Sequence, residues 1–383
     1  MIYFDNGATT LPKPSCVLQA AREAAFLGNP GRGGHKAALE GARLLYDVRQ
    51  RLCLHFDAPA PDHICFFSGA TEALNRVIKS LVPPGGRILL SDMEHNAVRR
   101  PALSLLKKGV TVDYFCGYGS EEQILSSFAK QLCKGPDLVV FLHTSNVCPQ
   151  TLPAKKLCAL CHEKKILSVI DCAQAAGHVP LSLKELSADG LCLAGHKGLF
   201  GLQGVGALIC SERLKRALEK AETLVEGGAG IASFEEGMPP FLPERLEAGT
   251  LPLPDIASLG AGVAFVEHMG YGDIGARLRK LSRECAAGLS EIAGIRLVAA
   301  GARGIGPLLF DTDLQDNAAL AAALSDRGVF VREGIHCAPL AHMRIGSDRR
   351  GGIRVSFSPM NSLSQVESFL CILRQEYSLL KAK

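Results

Sequence analysis

Between residues 64 and 211 the chain alternates short apolar or β-branched runs with stretches of helical periodicity, and no other feature constrains the fold as tightly. The runs are "ICFF", "RILLS", "VDYFC", "DLVVFLHTS", "ILSVIDCA", "GLCLAG" and "VGALICS". Helical stretches such as "ATEALNRVIKSL" and "PAKKLCALCHEKK" lie between them, each opened by a turn residue or a proline. The pattern predicts an α/β fold with a mostly parallel sheet and helical crossovers.

One such lobe does not exhaust the chain. Its 383 residues exceed the roughly 250–300 at which a single core stops growing, so a second lobe is expected. The proline-rich segment 235–255 reads as a loop, and the helical patterns "IASLGAGVAFVEHMG" and "IGARLRKLSRECAAGLSEIAG" then lead into another α/β section. We place a large domain at 15–250 and a small one at 251–383, joined by the N-terminal arm 1–14. That arm, "MIYFDNGATTLPKP", has one short apolar run and two prolines, so it should pack on another element.

Charge and cysteine usage narrow the function. The 42 basic and 38 acidic residues are interspersed, with no basic run to track a phosphate backbone, which argues against nucleic acid. No apolar run reaches the roughly 18–20 residues of a membrane span, and the N-terminus lacks an export pattern, so a cytoplasmic location is expected. Most of the 14 cysteines sit inside apolar patterns and read as reduced packing residues. "CALCH" at 158–162 has the spacing of covalent haem attachment, but its apolar residues fall on one helix face, and a packed helix is the better reading. No second ligand pair is present for zinc, and no metal is expected.

Polar groups placed where apolar strands stop carry the chemistry, since ligands of open α/β sheets bind at that edge. In "FFSGATEAL" a strand runs through Ser68–Thr71 into a helix, whose free N–H groups and Thr71 hydroxyl can hold an anion. Asp171 ends "SVID", where a carboxylate is costly without a cation. Lys197 in "GHKGLFGLQGVG" could lose its proton when desolvated and form a Schiff base with a carbonyl. Anion site, buried carboxylate and strand-end lysine together suit the phosphate, pyridine nitrogen and aldehyde of pyridoxal 5'-phosphate. A further candidate is Cys337 in "VREGIHCAPLAHMR", set among Arg332, His336, His342 and Arg344.

These segments resemble the class V aminotransferase-like family of pyridoxal-phosphate enzymes, and specifically its cysteine desulfurases. The resemblance rests on "YFDNGATT", "SGATEALN", "MEHNAV", "HTSNVCP", "DCAQAAGH", "GHKGLFGLQGVG", "LEAGT", "VREGIHCA" and "IRVSFSPMN", in family order across nearly the whole chain. It implies fold type I and makes Lys197 the Schiff-base lysine and Asp171 the partner of the pyridinium nitrogen. His95 would stack on the ring. Asn146 and Gln174 would bond around the ring oxygen and substrate, and Ala70, Thr71 and His196 would hold the phosphate. Thr250 would reach the phosphate of a second subunit, implying a homodimer, and Arg354 would bind the substrate carboxylate. Cys337 would be the sulfur-accepting nucleophile, on a compact loop resembling the type II branch.

The resemblance implies conversion of L-cysteine to L-alanine with a persulfide left on Cys337 for an acceptor protein or small thiol. Arg332 and His336 are expected to favour the thiolate. Selenocysteine lyase, acting on L-selenocysteine, is the near alternative; a class V aminotransferase would need no nucleophile, and a non-enzymatic binding role would make Lys197 dispensable. Two features depart from the family. Ala194 stands where a phosphate-binding serine is usual, and Arg32 and His35 in "GNPGRGGHKAA" occupy the expected substrate entrance.

Overall fold

The computed structural model describes residues 1–31, 34–302, 304–347 and 349–382. Its strands in chain order are β1 (Ile2–Tyr3), β2 (Ile64–Phe67), β3 (Arg87–Ser91), β4 (Thr111–Phe115), β5 (Leu138–Leu142), β6 (Leu167–Asp171), β7 (Gly190–Ala194), β8 (Gly206–Cys210), β9 (Ile295–Val298), β10 (Leu308–Thr312), β11 (Val329–Phe330), β12 (Arg332–Gly334) and β13 (Gly352–Val355). Seven form a sheet in the order β2-β8-β7-β6-β5-β3-β4, parallel except for β8. All seven runs read from the sequence are its strands. Every residue of β5, β7 and β8 is buried, because helices cover both faces and leave no side for an alternating polar residue.

Two apolar cores flank this sheet, one containing Leu89, Phe141 and Ile170 and the other Ile88, Val140 and Val169. The alternation of neighbours such as Leu89 and Leu90 between the two follows from the period-2 geometry of a strand. The helix Ala154–Glu163, which carries "CALCH", buries Leu157, Cys158 and Cys161 against the sheet. Burial pushes the Cys158 thiol up to about 12, so this pair is packing material.

The C-terminal part builds a four-stranded antiparallel sheet, β12-β13-β10-β9, over a third core with Phe310, Ile353 and Phe369. The N-terminal arm joins that core: Phe4 is fully buried in it, β1 pairs in parallel with β11, and Asp5 bridges to Ser356. Residues 221–252 contain no helix or strand, so the loop expected at 235–255 starts well before its first proline, Pro239. The next helix, Leu253–Met269, begins slightly before the expected Ile256, since Pro254 falls in its first turn, where no intrahelical N–H is required. Its Leu259 and Val263 pack into the large-sheet core and its Val266 into the small one, tying the two together.

Candidate active site

Strands β2, β3, β5, β6 and β7 point the same way, so the residues that follow them emerge at one edge of the sheet. Ala70 and Thr71 after β2, His95 after β3, Asn146 after β5, Asp171 and Gln174 at the end of β6, and His196 and Lys197 after β7 line one cleft of about 740 Å³. Eight residues picked from separate motifs therefore share one cavity. Gly198, just past the lysine, makes the turn possible: a Cβ there would lie 2.3 Å from the Ala176 carbonyl oxygen.

Enclosure sets the charges in the cleft. Burial lowers the Lys197 ammonium to about 8, with Asp171 pulling against that shift and Arg354 adding to it. Burial raises the Asp171 carboxyl, offset by the Ala173 N–H at 2.9 Å and by Lys197. His95 is lowered to about 4, by burial first and then by Lys197 and Arg354, so its ring is neutral. Its Nδ1 accepts the Ala97 N–H at 3.0 Å, which leaves the ring proton on Nε2.

The cleft has the complementarity of a pyridoxal phosphate site. The helix Ala70–Leu81 starts at its rim with no side-chain cap, leaving N–H groups for an anion. The Nδ1 of His196 is buried without a partner beside it. The buried Asp171 carboxyl accepts the Ala173 N–H and has Lys197 as a neighbouring cation, and the neutral His95 imidazole lines the same cleft.

The small sheet closes the cleft. Arg354 of β13 is buried; its Nη1 donates to the Asn146 carbonyl at 3.0 Å, its Nη2 to Asp5 Oδ1 at 2.6 Å, and its Nε has no partner. Asn146 Nδ2 donates to the His336 carbonyl at 2.7 Å, and the Asn96 N–H to the Cys337 carbonyl at 2.7 Å. Cys337 is exposed, and both it and His336 have left-handed backbone, with φ of 56° and 52°. Each such non-glycine residue costs roughly 1–2 kcal/mol.

The electrostatics of that loop correct one expectation. His336 does not lend Cys337 a positive charge: burial, Arg354 and other neighbours lower its ring to about 3, so it is neutral. Arg344 is committed elsewhere, its Nε donating to Asp92 at 2.6 Å.

Comparison with known proteins agrees with this geometry. Residues 2–369 match the aminotransferase class V family model. A probable cysteine desulfurase of Pyrococcus abyssi is 31% identical over 98% of this chain and 94% of its own length. The chain belongs to the cysteine desulfurase family. The apo structure of a family member from Thermococcus onnurineus NA1 superposes with a TM-score of 0.89 at 29% identity, covering 100% of this chain and 95% of that one. The same fold recurs at 22% identity in C-DES, described as a cystine C-S lyase in complex with its product cysteine persulfide, with a TM-score of 0.83 over 97% of both chains.

Not every expected residue of this desulfurase-family chain lies in its own cleft. Thr250 is exposed, and Asn29 Nδ2 donates to its hydroxyl at 3.4 Å. His35 is exposed and caps the helix Lys36–His55, its Nδ1 accepting the Ala38 N–H at 3.3 Å. Arg32 lies outside the described residues. The sequence reading missed the arm's share in the site. Besides Asp5 on Arg354, four arm donors converge on the His196 carbonyl: the Thr10 N–H and the Thr9 and Thr10 hydroxyls, each at 3.1 Å, and Lys13 Nζ at 2.7 Å. A run of polar residues in an arm too short to fold alone was the available signal.

Proposed function

We propose that the chain is a cysteine desulfurase in which the cleft activates L-cysteine and Cys337 removes its sulfur. Ala70, Thr71 and His196 would hold the phosphate of pyridoxal phosphate, Asp171 its ring nitrogen, His95 its face, and Lys197 its reactive carbon. When bound there, the cofactor supplies an electron sink that acidifies the α-hydrogen of an amino acid. Lys197, whose ammonium is already lowered to about 8, moves that proton. Arg354 holds the substrate carboxylate through a guanidinium suited to two parallel bonds, and Asn146 and Gln174 orient it.

The Cys337 thiolate attacks the substrate sulfur. An S–S bond forms and the C–S bond breaks with its electron pair going to carbon, so L-cysteine and Cys337–SH become L-alanine and Cys337–S–SH. Turnover then needs an acceptor protein or small thiol to take the terminal sulfur. The observation that carries this reading is the attachment of the thiol loop to the cleft at both left-handed residues, His336 to Asn146 and Cys337 to Asn96. An aminotransferase or a cystine lyase has no use for an accessible thiol held there.

A second copy of the chain completes the site. Phe26 and Phe234 are 81% and 104% exposed, and Gly31, Gly230 and the Asn29–Thr250 pair bring their segments together. Covering these apolar side chains would bring Thr250 and His35 toward a partner's cleft. Among the described residues no helix is long and apolar enough to cross a membrane, in keeping with a cytoplasmic enzyme.

The test gives the holoenzyme L-cysteine or L-selenocysteine in parallel, follows alanine, and maps added sulfur by peptide mass spectrometry. Alanine from cysteine with one extra sulfur on Cys337, both absent in Cys337→Ala, is the expected result. Alanine from selenocysteine alone would make the chain a selenocysteine lyase, and alanine from neither would overturn the reading.

A further inference from the structure

Three residues of the nucleophile loop form a buried row that the reaction above does not use. His336 Nε2 faces the Arg332 carbonyl at 3.2 Å, His336 Nδ1 faces His342 Nε2 at 3.2 Å, and His342 Nδ1 faces the Ser347 hydroxyl at 2.8 Å. His342 is fully buried, and His336 and Ser347 nearly so.

The Arg332 end of the row has a fixed direction. A carbonyl oxygen only accepts, so His336 carries its proton on Nε2 and its Nδ1 is an acceptor in the neutral ring. His342 then donates to it from Nε2. With one ring nitrogen donating to a carbonyl and the other accepting from His342, His336 has no lone pair left to serve as a base for the thiol.

What the row can do is brace. The Ser347 N–H donates to the His342 carbonyl at 2.9 Å and the Gly351 N–H to the Ser347 carbonyl at 2.7 Å. Gly351 presses against the end of β12, where a Cβ would lie 2.2 Å from the Gly334 oxygen. The row thus crosses the loop between β12 and β13 and includes His336, the first of two successive left-handed non-glycine residues, the second being Cys337. Such a backbone persists only where its surroundings over-determine it.

We propose that His342, held between Ser347 and His336, is a positioning residue for sulfur transfer: it fixes the backbone that presents Cys337. The proposal rests on the desulfurase reading for its kinetic consequence, but its structural consequence stands apart from it. A brace on the loop backbone leaves the cleft residues in place, so the L-cysteine-induced change in the visible cofactor band should survive replacement of His342.

The experiment compares the holoenzyme with His342→Leu and His342→Gln. Glutamine retains a donor for His336, whereas leucine keeps only the volume. His342→Leu is expected to lower kcat for alanine at least about tenfold, with KM and the cofactor band changed less than about twofold, and His342→Gln to recover most of the loss. Hydrogen exchange over residues 335–347 should accelerate in the leucine variant and not elsewhere. Should that variant fail to fold, Ser347→Ala, which removes only the outer bond, is expected to show the same pattern at about threefold. Wild-type kcat and unchanged exchange in the leucine or alanine variant would overturn the brace, as would a glutamine variant no better than leucine. A wild-type protein that makes no alanine would overturn the desulfurase reading alone, and the exchange measurement would still decide the brace.

Discussion

In the cleft, Lys197 and Asp171 are enclosed at the ends of parallel strands, and their charges are set by burial and by each other. On the small sheet, Cys337 is exposed and its place is set by backbone: two left-handed residues, two carbonyl bonds to the cleft, and a buried row of hydrogen-bonded side chains. The difference follows from the tasks. A group that must shed a proton near neutral pH gains from desolvation, whereas a nucleophile that hands sulfur to an outside acceptor must stay reachable and can be controlled only through position.

The sharpest way to break this comparison is to remove each reacting group in turn. Lys197→Ala should lose the visible cofactor band and lower alanine formation by roughly 10²–10⁴-fold or to background. Cys337→Ala should lose alanine formation as well but keep the band and its response to L-cysteine. A Cys337→Ala protein that no longer responds to L-cysteine would mean that cleft and loop are not separable in the way described.

Arg354→Lys tests the seam between them. Exchanging a two-pronged guanidinium for a point charge should raise KM for L-cysteine roughly 10–100-fold, with a smaller effect on kcat, in steady-state assays. A kcat loss as large as the KM rise would show that Arg354 also positions the Cys337 loop through Asn146.

Protonation sharpens the contrast further. Only the uncharged amine of Lys197 can attack the cofactor's aldehyde, and its ammonium is lowered to about 8. Reconstitution of the cofactor-free protein, followed by visible absorbance, should therefore speed up as pH rises and level off above about 8. A midpoint near that of a free lysine would mean that the cleft does not desolvate it. The smallest effect belongs to Ala194, which lines the cleft and is 3% exposed. Ala194→Ser should tighten cofactor retention by roughly fivefold, the worth of one added hydrogen bond of about 1 kcal/mol, measured by equilibrium dialysis.

Much of the cleft was legible in the sequence because its members sit at strand ends, in the turns just past them or at helix starts, and those transitions leave local marks. "SVID" announces a carboxylate at a strand terminus, and "SGAT" a turn into a helix. The state of the Cys337 loop was not legible in the same way. The histidine beside Cys337 reads as a cation in sequence, yet it is neutral in the fold, because its charge depends on burial and on Arg354, which arrives from another strand.

The sequence alone determined the doubly covered sheet and the order of its strands' polar ends, since strand and helix periodicity and terminal polar groups are properties of neighbouring residues. Only the tertiary structure decided that Asp5 pairs with Arg354 across 349 positions of chain, that Lys13 and two threonines anchor the carbonyl beside Lys197, and that His336 stands neutral behind the nucleophile, bonded to His342. Those outcomes turn on distance and desolvation, which are fixed by how the arm and the two sheets pack.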